Sequence, residues 1–351
     1  MMNVVVGNSS ADLDSCASAV GLSRLLTQAT KTPWTAVIGC SRDDMDMRHQ
    51  QTYWLQKCRV QLETLVFIDE LNMDAVEQAV LVDHNDATRG WESISDKVVG
   101  IVDHHADTKQ LLVQMTTLTT VDEDSAIQFP GVRLISTAAG SCSSLVLTMW
   151  YASHCTLSYY TALLLSGAIV SDTKGFKQDL KGSRWSEIDS KAFYWLSHMY
   201  DDYPESDSIH KELKSIKDDD SLYSMVPLDR LLTMDMKTFT YGSVVVVYSS
   251  FPTKLKSLME TGSGSVWANH LAAHGALVMV VLGHGKNFRE IGLFSTDSTV
   301  VNELSDHFSS SLTSTMTDVL NHEGLRVTRH TAMHATRKII EPLVRSFFSV
   351  S

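Results

Sequence analysis

Short apolar runs that alternate with helical segments constrain the fold of this chain more than any other feature of its sequence. The runs 79–82 and 98–102 are apolar at consecutive positions and not only at alternate ones. Strands have this composition when both faces of a parallel sheet are covered. After the run 3–6, the segment 15–26 carries apolar residues at helical spacing. This alternation predicts an α/β domain with a doubly wound, mainly parallel sheet and right-handed connections.

The length of the chain and a break in its pattern predict two domains. A chain of 351 residues suits two domains of ordinary size. A polar and acidic stretch at 201–220 separates the first alternating pattern from a second, shorter one. We therefore expect a first domain at 1–215, a linker at 216–224 and a smaller α/β domain at 225–351. We expect the active site to lie in the cleft between the two domains.

Charge and cysteine content disfavour several classes of protein. The chain carries 29 Lys and Arg residues against 41 Asp and Glu residues, and this acidic balance disfavours binding to duplex nucleic acid. The five cysteines are widely spaced without a CxxC pair, which indicates reduced thiols and not a disulfide framework. The apolar runs are too short to span a membrane, and the start does not resemble a signal peptide. We expect a monomeric cytoplasmic protein, with an organelle matrix as the alternative location.

Carboxylate and imidazole side chains follow four of the predicted elements. Ligands of open parallel sheets bind beyond the carboxyl ends of the strands, so we expect these side chains to gather at one edge. They are Asp12, Asp14, Asp83, His104, His105 and Asp172. Carboxylates packed so closely repel one another unless divalent cations bind them, and oxygen and imidazole ligands suit Mg²⁺ or Mn²⁺. Two such ions are the usual arrangement for in-line attack at phosphorus.

Each motif taken alone has a simpler interpretation. An isolated Asp-x-Asp is usually a turn or a helix cap, and here Asp14 or Ser15 could cap the first helix. A His-His pair is more often packed or solvated than metal-binding. The segment 140–144 is either a plain helix start or a set of backbone N–H groups that face an anion. The joint arrangement, with four acidic strand ends in one half of the chain, favours a functional site.

The motifs resemble those of the Asp-His-His (DHH) phosphoesterase superfamily. The resemblance rests on Asp103-His104-His105 after an apolar strand, on Val82-Asp83-His84-Asn85 and on the Asp-x-Asp segment 7–15. Within the superfamily, the chain is similar to the branch of family II inorganic pyrophosphatases, eukaryotic exopolyphosphatases and prune-type proteins. The segment 140–146 matches that group. The second half adds two weaker motifs of the branch, Asp235-Met236-Lys237-Thr238-Phe239 and Thr336-Arg337-Lys338 followed by Pro342.

The resemblance implies a role for each matching residue. Asp83 and Asp172 would bridge two divalent metal ions. The remaining ligands would be Asn8 and Asp12 at one ion and Asp14 and His104 at the other. His105 would contact substrate phosphate, and Asp103 would orient the histidines. We accordingly take Asp83, His105 and Asp103 as the catalytic residues.

Three cations of the second half are candidates for substrate binding. Lys237, Arg337 and Lys338 could neutralise phosphate oxygens, and Arg337 could do so in bidentate fashion. Because Pro342 suits the first turn of a helix, we expect a helix to start near 340–341 and a strand to end at Arg337 and Lys338. The alternative is a solvated basic pair.

The residue at position 8 bears on substrate and metal. Family II pyrophosphatases usually carry His there, whereas exopolyphosphatases and prune-type proteins carry Asn, as in this chain. A neutral carbonyl oxygen favours Mg²⁺ over Mn²⁺, although Mn²⁺ remains an option. The resemblance therefore implies an exopolyphosphatase, which releases orthophosphate from the end of inorganic polyphosphate. The alternatives are an inorganic pyrophosphatase, a phosphodiesterase acting on short nucleotides, and a non-enzymatic interaction protein that has kept the fold.

Overall fold

The structure, a computed structural model, consists of two compact units, Met1–Lys217 and Asp218–Ser351. It describes the chain except for 88–89, 110–115, 119–126, 128, 224–225, 234–235, 252–253, 256–263, 286–287, 313, 323, 332–334 and 350–351. The boundary between the units lies within the segment 216–224, which we expected to be a linker. Within the described part of the chain, no helix is both long and apolar enough to cross a lipid bilayer.

The first unit is built on a seven-stranded sheet in the order β3-β2-β1-β4-β5-β7-β6. All its described pairings are parallel, so the predicted parallel α/β architecture is confirmed. The strands are β1 Met2–Val6, β2 Trp34–Ile38, β3 Val66–Phe67, β4 Val76–Val82, β5 Val98–Asp103, β6 Thr116–Leu118 and β7 Val132–Ile135.

The helices of the first unit are α1 Leu13–Thr30, α2 Arg42–Met45, α3 His49–Lys57, α4 Cys142–Ser153, α5 Tyr159–Asp172, α6 Glu187–Met199 and α7 Ser206–Lys217. Short 3₁₀ turns lie at Leu62–Thr64, Met73–Ala75, Glu92–Lys97 and Gln178–Leu180.

Both faces of the central strands are buried, which explains the consecutive apolar residues. Along β4, Val80 and Val82 pack into the cluster formed with the long helices, whereas Ala79 and Leu81 pack into a cluster with Trp91. Alternate residues thus enter opposite cores.

Helix α5 is packed closely by a tryptophan. The Trp54 indole Nε1 donates to the backbone oxygens of Leu163 and Leu164, at 3.2 and 3.3 Å. Gly167 makes this approach feasible, because a Cβ there would lie 2.0 Å from Trp54 Nε1. The contact fixes the helix that ends at Asp172.

The second unit contains a six-stranded sheet in the order β12-β13-β11-β10-β9-β8. Only the β9–β10 pairing is parallel among the described pairings. The strands are β8 Lys237–Tyr241, β9 Val244–Ser250, β10 Val278–Gly285, β11 Phe288–Phe294, β12 Met316–His322 and β13 Leu325–His330. The helices are α8 Leu228–Leu232, α9 Gly264–Ala273, α10 Ser298–Ser311 and α11 Arg337–Ser349, with a 3₁₀ turn at Asp220–Leu222.

One expectation about the second unit is wrong. Arg337 and Lys338 are the first two residues of α11 and do not end a strand. Pro342 consequently lies inside the helix and not in its first turn. The proline deprives the helix of one backbone hydrogen bond, but the helix still forms because Ile340 and Val344 bury its apolar face.

Candidate metal centre

Three adjacent strands bring the predicted site residues together. Strands β1, β4 and β5 are neighbours in the sheet, and all are parallel. The segments that follow them therefore lie side by side at the carboxyl edge. These segments carry Asn8, Asp83 and the Asp103-His104-His105 triplet. The strand order, which the sequence does not reveal, is the reason that residues twenty and more positions apart meet.

Asp83 is the central group of this cluster. Its side chain is 2% exposed and its backbone adopts the left-handed conformation, with φ +62°. Its N–H donates to the Val102 oxygen at 3.0 Å, which fixes the turn out of β4. Its Oδ2 accepts from Asn8 Nδ2 at 2.7 Å, whereas Oδ1 is buried and has no hydrogen-bond donor among the described residues. A buried carboxylate oxygen without a donor is unfavourable, and a cation would satisfy it.

His104 places a second hydrogen-bond acceptor, its Nε2, close to Asp83 Oδ1. Its Nδ1 lies 3.2 Å from the Ala139 carbonyl oxygen. Because a carbonyl only accepts, we assign the proton to Nδ1, which leaves a lone pair on Nε2. That Nε2 lies 3.1 Å from Asp83 Oδ1 and 3.8 Å from Asp14 Oδ2. Acceptors that face one another at such distances require a proton or a metal ion between them.

Asp14 is held by the start of α4. Its Oδ1 accepts from Ser141 Oγ and from the Ser143 N–H, both at 2.8 Å, and its Oδ2 accepts from the Cys142 N–H at 2.6 Å. The N–H groups of the segment 140–144 therefore face an anion, and that anion is a carboxylate of the chain itself. The simpler interpretation of the Asp-x-Asp motif applies to Asp12, which is the N-cap of α1 and accepts from the Ser15 N–H at 3.0 Å.

Asp172 completes the acidic group. It is half-buried and is the last residue of the helix α5, so our expectation that it follows a strand is wrong. Burial, followed by the charges of Asp14, Asp12 and Asp83, holds the pKa of Asp172 well above its ordinary value. Burial likewise raises the pKa of Asp83, and the charges of Asp14 and Asp12 raise it further. The carboxylates thus occupy one region, and the charges of Asp12 and Asp14 oppose the ionisation of Asp83 and Asp172.

Asn8 lies in the cluster in an orientation that we did not expect. Its Nδ2 donates to Asp83 Oδ2 and to the Asp83 backbone oxygen, at 2.7 and 3.0 Å. Its Oδ1 accepts from the N–H and the hydroxyl of Ser10, at 3.0 and 2.7 Å. The carboxylate and carbonyl can only accept and the Ser10 N–H can only donate, so the network itself fixes the orientation of the amide. In this arrangement Asn8 orients Asp83, and its role as a metal ligand stays a prediction.

Asp103 and His105 form a hydrogen-bonded pair. Asp103 is fully buried and accepts from His105 Nδ1 at 2.8 Å and from the His105 N–H at 3.1 Å. Burial works to raise the pKa of Asp103, but these hydrogen bonds hold it below its usual value. The same side-chain bond raises the pKa of His105. Asp103 contacts His105 in this way, whereas His104 takes its orientation from Ala139.

The donor set at this edge fits a divalent cation. Asp83, His104 and His105 each offer one ligand atom, and these atoms lie within 4.8 Å of one another. The unsatisfied Oδ1 of Asp83 is among the groups that a cation would bind. Carboxylate oxygens with imidazole nitrogens and without thiolates are the ligands of Mg²⁺ and Mn²⁺ sites.

Comparison with known proteins agrees with this geometry. Residues 3–168 match the DHH family, N-terminal domain. The first unit therefore contains a DHH-family domain over these residues. The human exopolyphosphatase PRUNE1 is 26% identical over 267 residues, which cover 74% of this chain and 54% of the human protein. A Schizosaccharomyces pombe protein named "Putative exopolyphosphatase" is 26% identical over 307 residues, covering 81% of this chain and 73% of that protein.

The curated PRUNE1 relatives are longer than this chain and match it over only part of their length. The chain spans about half the length of the curated PRUNE1 relatives that it matches. Among solved structures, a Methanococcus jannaschii protein titled as a putative family II inorganic pyrophosphatase has a TM-score of 0.58 and 18% identity, covering 99% of both chains. At this level of identity, the similarity shows that the two proteins share a fold. The resemblance to this superfamily and to its prune-type branch, inferred from the motifs, is confirmed.

Sequence reasoning missed two residues that support this DHH site. Asn85 is buried, and its Nδ2 donates to Asp103 Oδ2 at 2.5 Å while its Oδ1 accepts from the Thr108 N–H at 2.8 Å. Asp189, the fourth residue of the capping box that begins α6, accepts from the Gly140 N–H at 2.9 Å and from Ser144 Oγ at 2.6 Å. The motif around Asp83 contains Asn85 and could have drawn attention to it. The sequence around Asp189 indicates only a helix cap, so it does not predict the contact with Gly140.

The three cations that the sequence suggested for substrate binding belong to the second unit. Lys237 begins β8 and is exposed, and Arg337 and Lys338 begin α11. Asp235, which precedes Lys237 in the second-unit motif, lies outside the described residues. Cations are unusual in the first turn of a helix, where the dipole favours anions. The first turn of α11 thus carries two cations beside its own N–H groups.

Proposed function

We propose that the protein is a metal-dependent exopolyphosphatase, which hydrolyses the terminal phosphoanhydride of inorganic polyphosphate and releases orthophosphate. The observation that carries the proposal is the convergence of acceptors without a donor: Asp83 Oδ1 faces His104 Nε2 at 3.1 Å, and Asp14 Oδ2 lies 3.8 Å from the same nitrogen. Relatives named exopolyphosphatase support the choice of substrate.

Two divalent cations are the cofactors of this proposal. Asp83 and Asp172 would be shared by both ions, Asp12 and Asn8 would hold one, and Asp14 and His104 the other. The predominance of oxygen ligands favours Mg²⁺, with Mn²⁺ as a substitute. Bound cations of this kind supply Lewis-acid stabilisation of phosphoryl oxygens and lower the pKa of an attacking water.

The imidazole of His105 acts on the substrate. Its Nδ1 is bound to the ionised Asp103, so the ring is held in place and its raised pKa favours the charged form. The side chain is 56% exposed, which leaves Nε2 accessible to a phosphate oxygen. A fixed imidazolium there stabilises the negative charge that develops as the phosphoanhydride breaks. Asp103 is a positioning residue that holds the His105 ring.

The cations of the second unit bind the remaining phosphate oxygens. Lys237 supplies a point charge, and Arg337 can bind two oxygens of one phosphate. The first turn of α11 adds N–H groups and the positive end of the helix dipole. Together these groups suit a polyanion that extends beyond a single phosphate.

A substrate panel tests the proposal. Phosphate release from pyrophosphate, tripolyphosphate and longer chains is measured with Mg²⁺, for the native protein and for Asp83→Asn. Asp74→Asn, an exposed aspartate of the same unit, is the matched control. We expect release from tripolyphosphate and longer chains, lost in Asp83→Asn and kept in Asp74→Asn. A native protein inert on every phosphoanhydride contradicts the proposal.

Inorganic pyrophosphatase activity is the second candidate. It is favoured by the contact between Asn85 and Asp103, because this contact gives the Val82-Asp83-His84-Asn85 motif, which pyrophosphatases also carry, a role in the site. In the panel, pyrophosphate as the best substrate identifies this activity.

We also propose a cytoplasmic location and a monomeric state. The five cysteines are free and four of them are buried, as suits a reducing compartment. Cell fractionation tests the location, and light scattering of the eluting protein tests the monomer.

A further inference from the structure

We infer that the first unit contains a second anion site, which takes the phosphate group of a small phosphorylated molecule. The site is a cavity of about 460 Å³ between the carboxyl half of α1, the residues after α3 and the start of α5. It is separate from the candidate metal centre and does not rest on the proposed exopolyphosphatase activity.

The cavity lies at the edge of the sheet where α/β proteins do not usually bind ligands. Trp34, which lines it, begins β2, so the cavity is at the amino ends of the parallel strands. Helix α1 starts beyond the carboxyl end of β1 and runs back along the sheet. Arg24 is therefore roughly 15 Å along the helix from Asp14, at about 1.5 Å per residue. The metal centre occupies the opposite, carboxyl edge and does not account for this cavity.

Arg24 supplies the first cation. Its Nη1 donates to Thr161 Oγ1 at 2.9 Å, and burial lowers the pKa of its guanidinium. In the part of the chain that the structure describes, no carboxylate forms an ion pair with it. A partly buried guanidinium without an acidic partner is unfavourable, and a bound anion would offset that cost.

Arg59 and the start of α5 supply the second and third positive groups. Arg59 follows α3 in the left-handed conformation, with φ +56°, and its guanidinium lies 4.2 Å from the centre of the Tyr160 ring. Tyr160 belongs to the first turn of α5, whose N-cap Ser158 accepts from the Thr161 N–H at 3.3 Å. The preceding N–H groups have no partner within the helix, and the positive end of its dipole points the same way.

The lining of the cavity selects the ligand. None of its ten lining residues carries a carboxyl group, so the chemistry favours an anion over a cation. Two guanidinium groups suit the several oxygens of a phosphate, and the Ser158 hydroxyl lies beside them, 2.9 Å from the Thr161 Oγ1 to which Arg24 donates. The volume exceeds that of a phosphate alone and falls in the range of small-molecule sites. Trp34 and Tyr160 offer aromatic surface to the rest of the molecule.

Isothermal titration of the protein in EDTA tests the site, because metal removal leaves the opposite edge strongly acidic and repels anions there. The probes are inorganic phosphate, adenosine monophosphate and uncharged adenosine. We expect both phosphate probes to bind and adenosine not to bind. Arg24→Gln and Arg59→Gln should each weaken phosphate binding at least tenfold, which is the loss of one charge-assisted contact. Lys191→Gln, which removes an exposed lysine charge on α6, should leave binding unchanged.

The two arginine variants keep the test decisive. Arg59 is exposed, so Arg59→Gln should fold even if removal of the partly buried Arg24 destabilises the protein. Equal phosphate affinity in the native protein and in Arg59→Gln overturns the inference. Failure of the native protein to bind either phosphate probe at millimolar concentration overturns it as well.

Discussion

Asp83 and Asp189 are both buried carboxylates of the first unit, yet their surroundings differ completely. Asp83 is 2% exposed and Asp189 is 0% exposed. The oxygens of Asp189 accept from the N–H groups of Gly140 and Ser186 and from the Ser144 hydroxyl. Asp83 Oδ1 has no donor in the described structure and faces an imidazole lone pair. The number of donors around a buried carboxylate, and not its burial, therefore separates a structural group from a candidate ligand.

Asp14 shows how the two kinds of carboxylate are linked. Three donors from the start of α4 hold it, as donors hold Asp189, but its Oδ2 also lies 3.8 Å from His104. Asp189 fixes Gly140, one residue before those donors. A Cβ at Gly140 would lie 2.1 Å from the Arg184 oxygen, so the loop tolerates no larger residue there. Asp189 thus fixes the loop before α4, and the start of α4 in turn holds the candidate ligand Asp14.

Substitution of Asp83 should have the largest effect of all. It should lower phosphate release without lowering the stability of the fold. Asp83→Asn alters a carboxylate whose Oδ1 has no hydrogen-bond donor among the described residues, so phosphate release should fall more than the ~10–100-fold typical of losing an outer partner. The midpoint of urea unfolding without metal should stay the same or rise. Initial rates with Mg²⁺ and unfolding in EDTA measure the two effects. A variant with near-native rates would show that Asp83 is as structural as Asp189.

Substitution of Asp189 should show the reverse balance. Asp189→Ala leaves the buried Ser144 hydroxyl and the partly buried N–H groups of Gly140 and Ser186 without this acceptor, which should cost about 3 kcal/mol of unfolding free energy. Urea unfolding in EDTA measures the change, with Asp74→Asn as the exposed control. A loss below about 0.5 kcal/mol, the range of ordinary surface substitutions, would contradict the structural role.

Removal of Asn85 should give an intermediate result. Asn85→Ala deletes a donor to Asp103 and an acceptor for Thr108, so it should lower kcat about 10-fold through a less rigid His105. KM should change less than kcat, since Asn85 is buried and acts through Asp103. Asn85→Asp, which keeps the acceptor for Thr108 but sets a second carboxyl beside Asp103, should not rescue the rate. Rescue by that variant would remove Asn85 from the positioning role.

The pH dependence of metal binding should give the smallest effect. The raised pKa values of Asp83 and Asp172 mean that the folded protein binds more protons than the unfolded chain above about pH 4. Stability of the metal-free protein should therefore fall as pH rises through those raised values. Mg²⁺ relieves the repulsion, so it should raise Tm by a few degrees more at about pH 7.5 than at about pH 5. Equal shifts at both pH values, measured by calorimetry against EDTA samples, would contradict the shared acidic site.

Much of the first unit was predictable because its signals are local. Consecutive apolar residues in β4 and β5 indicate strands buried on both faces, and acidic residues directly after them indicate a site at the carboxyl edge. The start of α11 was not predictable from its local signal, since Pro342 is typical of a first turn but lies inside the helix. Burial of Ile340 and Val344 outweighs that preference.

The sequence by itself determined the kind of chemistry available: aspartates and histidines after apolar strands, without thiolate ligands, at −12 net charge. Only the tertiary structure decided which side chains meet and in what state. Strand order places Asp83 beside His104, the start of α4 turns Asp14, and the amide of Asn8 presents its nitrogen to Asp83. The reason is that hydrogen-bond donors come from segments distant in the chain. Sequence spacing records which groups exist, but only folding fixes which of their lone pairs remain unsatisfied.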